Sequence, residues 1–216
     1  TDTKMVALTV TDGELVWETP FAVQGRGYNA ATPIVDGQTV IYAGSGRGVT
    51  AVKIEKIGDG FAGKELWKNP DNSVQFNTPV LKNGHLYGLT AANDAFCIHA
   101  QDGKTGGTKG LNPPAPSAEP TPGGGAGAAR GEGGRGGRGG GMRGGGAGYG
   151  SVVDAGSVLL ALTPASQLVA FEPSEKAFTE LARIKVADTP THAYPILSAN
   201  RIFIKDQDSV TLWTLP

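Results

Sequence analysis

Short apolar runs separated by turn residues set the pattern of this chain. Residues alternate or cluster over four to six positions, as in Thr39-Val40-Ile41-Tyr42 and Arg201-Ile202-Phe203-Ile204, and β-branched and aromatic side chains dominate them. Asp12-Gly13, Asp36-Gly37, Asn83-Gly84 and Asp102-Gly103 punctuate the runs. Such pairs supply the positive φ that tight hairpin turns require. No stretch carries sustained helical periodicity with caps. Residues 177–186 come nearest, and Leu181–Val186 falls where a strand belongs in the repeat described next. The pattern therefore predicts an all-β protein.

The runs recur in register. A small residue or Thr, then Pro, two aliphatics and a turn appear at Thr32-Pro33-Ile34-Val35-Asp36-Gly37 and at Thr78-Pro79-Val80-Leu81-Lys82-Asn83-Gly84. Weaker copies are Ser151-Val152-Val153-Asp154 and Tyr194-Pro195-Ile196-Leu197. Pro33 and Pro79 stand about 46 residues apart and Ser151 and Pro195 about 44, within the spacing of propeller blades. Pro79 to Ser151 is longer, and returns to the same period once about 30 Gly-rich residues are set aside. Each unit predicts four short strands. In the clearest unit they are Thr32–Val35, Thr39–Ala43, Val49–Ile54 and Lys64–Lys68.

A second motif closes the unit. Ala7-Leu8-Thr9-Val10-Thr11-Asp12-Gly13-Glu14-Leu15-Val16-Trp17 is a strand, a turn and a strand ending in Trp. Ala51-Val52-Lys53-Ile54 followed by Gly63-Lys64-Glu65-Leu66-Trp67 repeats it. Ala95-Phe96-Cys97-Ile98 with Gly103-Lys104, and Leu168-Val169-Ala170-Phe171, repeat it without the Trp; Trp213 falls at a third-strand position. These residues resemble the pyrroloquinoline-quinone-type (PQQ-like) β-propeller repeat. The resemblance implies that Trp17 and Trp67 dock between adjacent blades. It covers all but the Gly-rich segment.

The expected architecture is thus a partial β-propeller of about four blades of four-stranded antiparallel sheets. Residues 1–111 form a partial blade and two further blades, 112–149 a low-complexity insert, and 150–216 one full blade and a three-stranded one. The family's usual six to eight blades, and the absence of an initiator Met, make this reading a C-terminal fragment whose remaining blades are partners of those seen.

Composition changes the picture in one place. Of the 34 Gly, half lie between Gly123 and Gly150, after a Pro-rich run from Asn112 to Pro122. A segment with so little to bury does not offset its ordering entropy, so the insert is expected to be disordered. Arg130, Arg135, Arg138 and Arg143 give it the look of an RGG segment, which binds RNA through charge and guanidinium stacking. Aromatic residues are scarce there, and a net charge of −1 for the whole chain gives no field that attracts nucleic acid, so RNA is the lesser expectation. No apolar run reaches membrane-helix length.

Candidate chemistry is sparse. The sequence discloses no catalytic, cofactor-binding or metal-ligating set. Its one cysteine, Cys97, sits between Phe96 and Ile98 and reads as a buried small hydrophobe. His85, His99 and His192 are far apart and read as surface or edge histidines. Gly44-Ser45-Gly46-Arg47-Gly48 lacks the Lys-Ser/Thr of a phosphate loop and reads as a hairpin turn. The resemblance also includes quinone-dependent dehydrogenases, which hold quinone and Ca²⁺ with vicinal cysteines and catalytic acids. A single cysteine forbids the vicinal pair, and no Ca²⁺-ligand spacing is visible. The reading is a non-catalytic propeller that holds a protein or peptide partner on its face as a scaffold. The family resemblance adds a role in bacterial cell-envelope assembly and a periplasmic or secreted setting. A quinoprotein dehydrogenase segment and RNA binding through the insert stand as alternatives.

Overall fold

The computed structural model describes residues 1–23, 28–111, 149–176 and 178–215. They form five antiparallel sheets in chain order and, among the described residues, no helix. The first sheet pairs β1 (Lys4–Leu8) with β2 (Leu15–Pro20). The second runs β3 (Ile34–Asp36), β4 (Thr39–Gly44), β5 (Gly48–Ile57), β6 (Gly60–Asn69). The third runs β7 (Val80–Lys82), β8 (His85–Leu89), β9 (Asp94–His99), β10 (Thr105–Gly110). The fourth runs β11 (Ser151–Asp154), β12 (Leu159–Leu162), β13 (Gln167–Phe171), β14 (Glu180–Lys185). The fifth has three strands, β15 (Ile196–Ser198), β16 (Arg201–Lys205) and β17 (Val210–Thr214). Every strand pairs with its sequence neighbour, so each sheet is a meander. This is the blade order that the repeat predicts, with β5 and β6 longer than expected and Trp213 on the third strand of its sheet. The Arg residues of the expected RNA segment lie outside the described residues.

Among the described residues the core is four separate apolar layers, each between two consecutive sheets. Period-two alternation makes this possible, because successive side chains of a strand face opposite neighbours. On β8 and β9, Leu86, Phe96 and Ile98 join Ile41, Val49 and Ala51 of the second sheet. The opposite face of the same two strands sends Tyr87, Leu89, Ala95 and Cys97 to Val152, Leu159, Val169 and Phe171 of the fourth. Trp17, Tyr42 and Val52 fill the first layer; Leu160, Leu162, Ile202 and Ile204 fill the last. No sheet can bury both faces alone, so stability is a sum of neighbour contacts, as in repeat architectures.

Trp17 and Trp67 lie in the layers between consecutive sheets. Trp17 lies over Gly63, where an added Cβ would stand 2.6 Å from the indole nitrogen. Trp67 lies over Gly103 of the next sheet, and its Nε1–H donates to the Ala100 carbonyl at 2.9 Å. Both are 7% exposed. Gly63 and Gly103, each in the following unit, are thus the seats for Trp17 and Trp67. Gly44 to Gly48 forms the β4–β5 turn, as its sequence predicts, and Arg47 reaches back from it to the Phe21 carbonyl at 2.9 Å.

Candidate functional site

Two features stand apart from the stacking core. The first is built by the segments that lead into β3, β7, β11 and β15. Their aromatic rings meet in a strip: Tyr28 stacks on Phe76 (centroids 4.7 Å), Phe76 contacts Tyr149 (3.8 Å), and Tyr149 contacts His192 (5.1 Å). Backbone ties hold the segments together. The Thr32 N–H donates to Thr78 Oγ1 at 2.8 Å, and the Tyr149 N–H to the Thr191 carbonyl at 2.8 Å. The Thr78 N–H donates to the Tyr194 hydroxyl, which reaches the third sheet from the fifth, past the fourth. Such convergence is what radial packing produces where the first strands of the blades come together. Tyr28, Tyr149 and Tyr194 keep about two-fifths of their surface in water. Buried Asn77 fixes its segment by donating to the Leu89 carbonyl at 2.9 Å.

The second feature lies at the junction of the third and fourth sheets. The Asn83-Gly84 turn, with φ of 51° and 75°, delivers His85 to the first position of β8. His99 ends β9 directly opposite, as its cross-strand partner, with ring centroids 4.8 Å apart. Both stand on central strands of their sheet and both are partly buried, where the sequence reading has surface or edge histidines. Glu175 arrives from the β13–β14 connection of the fourth sheet. Its Oε2 lies 3.4 Å from His85 Nε2 and 3.8 Å from His99 Nε2. His85 Nδ1 sits 2.9 Å from the Asn83 carbonyl, so it carries the proton of that hydrogen bond and leaves Nε2 facing Glu175. Lys176 Nζ is 3.7 Å from the other Glu175 oxygen. The three donors open onto a recess of about 550 Å³ that Asp36, Thr39, Leu66 and Gln101 also line.

A missing side chain makes room for this contact. Register places Trp17 opposite Ala7 and Trp67 opposite Ala51; in the third sheet the equivalent pair is Gly107 opposite Cys97. Gly107 therefore occupies the docking-Trp position, and Cys97, not Ala95, is the counterpart of Ala51. Gly106 forms the bulge beside it, and a Cβ there would stand 2.4 Å from the Glu175 carbonyl oxygen. With neither Trp nor Cβ present, the β13–β14 connection settles onto β10 and carries Glu175 to the histidines. The sequence signal was available: the Gly-Lys-x-x-Trp unit reads Gly103-Lys104-Thr105-Gly106-Gly107 here. What it lacked was the pairing of His85 with His99 and the approach of a residue about 80 positions away.

Beneath the cluster, Cys97 is fully buried and hydrogen-bonds Tyr87. Burial pushes its thiol up to about 11; the Tyr87 bond pulls the other way and the Glu175 charge adds to the rise. Burial likewise raises the Tyr87 phenol. Thiol reagents at pH 8 should therefore leave native Cys97 unmodified and react with one equivalent in denaturant; native-state labelling would mean that the third interblade layer opens readily.

Comparison with known proteins bears on the fold. The sequence profile of the family described as outer membrane protein assembly factor BamB matches residues 1–106. The structure of BamB from Moraxella catarrhalis superposes with a TM-score of 0.63 at 12% identity, covering 99% of this chain and 52% of that one. The computationally designed Ika8 protein gives 0.62 at 7% identity, covering 99% and 53%. This chain spans about half the length of either structure. At these identities the likeness is one of fold. No curated protein matches by sequence.

Proposed function

We propose that this chain, whose sheets are PQQ-like β-propeller blades, is a protein-binding module of the cell-envelope-assembly type, and that Tyr28, Phe76, Tyr149 and Tyr194 form its partner-facing strip. The single observation behind this reading is that strip: Tyr28, Phe76 and Tyr149 in ring contact, Tyr194 tied beside them by the Thr78 N–H, and the three tyrosines left partly in water. Tyr and Phe offer large contact area at small entropic cost and are enriched at the centres of protein interfaces. The BamB-like profile supports an envelope setting, periplasmic or secreted, and a protein partner. Ile196 and Leu212, in one cross-strand row with Phe203, leave apolar surface exposed on the fifth sheet that suits a protein contact.

The quinone alternative fits the strip poorly. Ca²⁺ takes six to eight oxygen ligands, rich in carboxylate, and the residues in these aromatic contacts and backbone ties carry none. Among the described residues no helix is long and apolar enough to cross a membrane.

The test uses fluorescence-labelled extended peptides of alternating apolar and polar residues, titrated with the whole protein. Saturable binding is expected, and the double change Phe76→Ala/Tyr149→Ala should weaken it at least about tenfold, as loss of hot-spot aromatics does. Equal affinity in the variant, or no saturation with any such peptide, would discard this face. Dye reduction on adding quinone and Ca²⁺ would favour the dehydrogenase reading instead.

A further inference from the structure

We propose that His85, His99 and Glu175 form a transition-metal site of the Zn²⁺ class that bridges the third and fourth blades. The donor atoms all lie within 4.8 Å of one another, and among the described residues this is the group of His, Cys, Asp and Glu side chains that meets that condition. Tetrahedral coordination at about 2.0–2.1 Å per bond places neighbouring ligand atoms roughly 3.3 Å apart. The His85 to Glu175 separation of 3.4 Å already matches, and that of His99 to Glu175, 3.8 Å, needs only a small side-chain rotation.

The surroundings are arranged as a metal site requires. A ligating imidazole needs its other nitrogen protonated and oriented by an outer partner. The Asn83 carbonyl, held by a left-handed turn, does this for His85. It turns His85 Nε2 toward the Glu175 carboxylate at 3.4 Å, a spacing that a shared metal ion fits. Two imidazoles and one carboxylate suit a borderline ion such as Zn²⁺ better than Ca²⁺ or Mg²⁺, which prefer oxygen. The fourth position opens to the recess, where water or a donor from a bound molecule completes the shell.

Two ligands come from one sheet and the third from the next, so the ion would pin the interblade junction where the docking Trp is replaced by Gly107. Metal binding and blade–blade contact are then linked, and the ion stabilises the folded state.

The experiment is a titration of the whole, metal-stripped protein with Zn²⁺ against a chromophoric chelator, with Co²⁺ as a spectroscopic probe. We expect one equivalent of Zn²⁺, visible Co²⁺ bands of four-coordinate type and a higher Tm with Zn²⁺. His85→Gln, His99→Gln and Glu175→Gln should each weaken binding at least about tenfold. His192→Gln, in the aromatic strip, should bind as the parent does. Gly106→Ala keeps all three ligands but displaces the Glu175 backbone, and should weaken Zn²⁺ as Glu175→Gln does. Circular dichroism of each variant separates ligand loss from unfolding. No binding by the folded parent, or Zn²⁺ affinity unchanged by all three ligand changes, would overturn the site.

Discussion

Trp67→Ala is expected to cost about 3–5 kcal/mol of folding stability, the range for deleting a large buried aromatic side chain. The indole is 7% exposed and packs in the layer that Ile41, Val49, Leu86, Phe96 and Ile98 build between the second and third sheets. Its ring lies on Gly103 of the neighbouring sheet, and its N–H satisfies the Ala100 carbonyl. Truncation removes the apolar contacts, opens a cavity over a backbone turn that cannot collapse into it, and strips that carbonyl of its partner. Trp67→Phe keeps most of the apolar area and loses the hydrogen bond, so it should cost about 1–2 kcal/mol. Urea denaturation followed by circular dichroism measures both. A Trp67→Ala loss below the Trp67→Phe loss would mean that the indole is not the peg joining these blades.

Trp67 was legible because its role is local. The strand–turn–strand unit that carries it is contiguous, and the Asp-Gly and Asn-Gly pairs mark the turns. A Trp that recurs at a fixed distance after a Gly, as Trp17 after Gly13 and Trp67 after Gly63, marks one packing position repeated from blade to blade. The same locality made β4, β5 and β9 readable, since each shows its alternation within six residues. Leu181–Val186 was harder, as its run also suits a helix; the repeat period decided for a strand, and β14 spans Glu180–Lys185. Sequence could not fix the register of the third unit. Aligning Ala95 with Ala51 looks natural, and only the pairing of Cys97 with Gly107 shows the two-residue offset.

The His85–His99–Glu175 group escaped for a different reason. His85 and His99 are fourteen positions apart in sequence and become neighbours only through the β8–β9 register. Glu175 reaches them because two glycines vacate a place that the first two sheets fill with Trp. Such a site is specified by what is absent from a repeat, and absence becomes informative only once the repeat is aligned. The aromatic strip was hidden likewise: Tyr28, Phe76, Tyr149 and His192 each sit in a connection with no local pattern, and radial packing of the blades collects them.

Asn69 was equally unremarked, and its removal should be the second most costly change. It ends β6 in Lys68-Asn69-Pro70-Asp71-Asn72, a stretch that reads as an ordinary polar turn. In the fold it is buried. Its Nδ2 donates to the Gly103 carbonyl at 2.8 Å and to Thr105 Oγ1 at 2.9 Å, both on the next sheet. Its Oδ1 accepts from the backbone N–H groups of Asp71 and Asn72 and from Asn72 Nδ2, each at 3.1 Å. Asn72 Nδ2 in turn donates to Thr105 Oγ1 at 2.8 Å. One side chain therefore shapes its own turn and ties it to the Gly103 turn on which Trp67 sits. Asn69→Ala leaves a buried carbonyl and the Asn72 N–H without partners where water has little access, and such orphaned groups cost about 1–3 kcal/mol each. The expected loss is about 3 kcal/mol, with Asn69→Asp no better because the carboxylate cannot donate to the Gly103 carbonyl. Because Trp67 and Asn69 act on one turn, the double variant Trp67→Ala/Asn69→Ala should lose less than the two single losses added together. Strict additivity in urea denaturation would show that the indole and the amide hold the second and third blades independently.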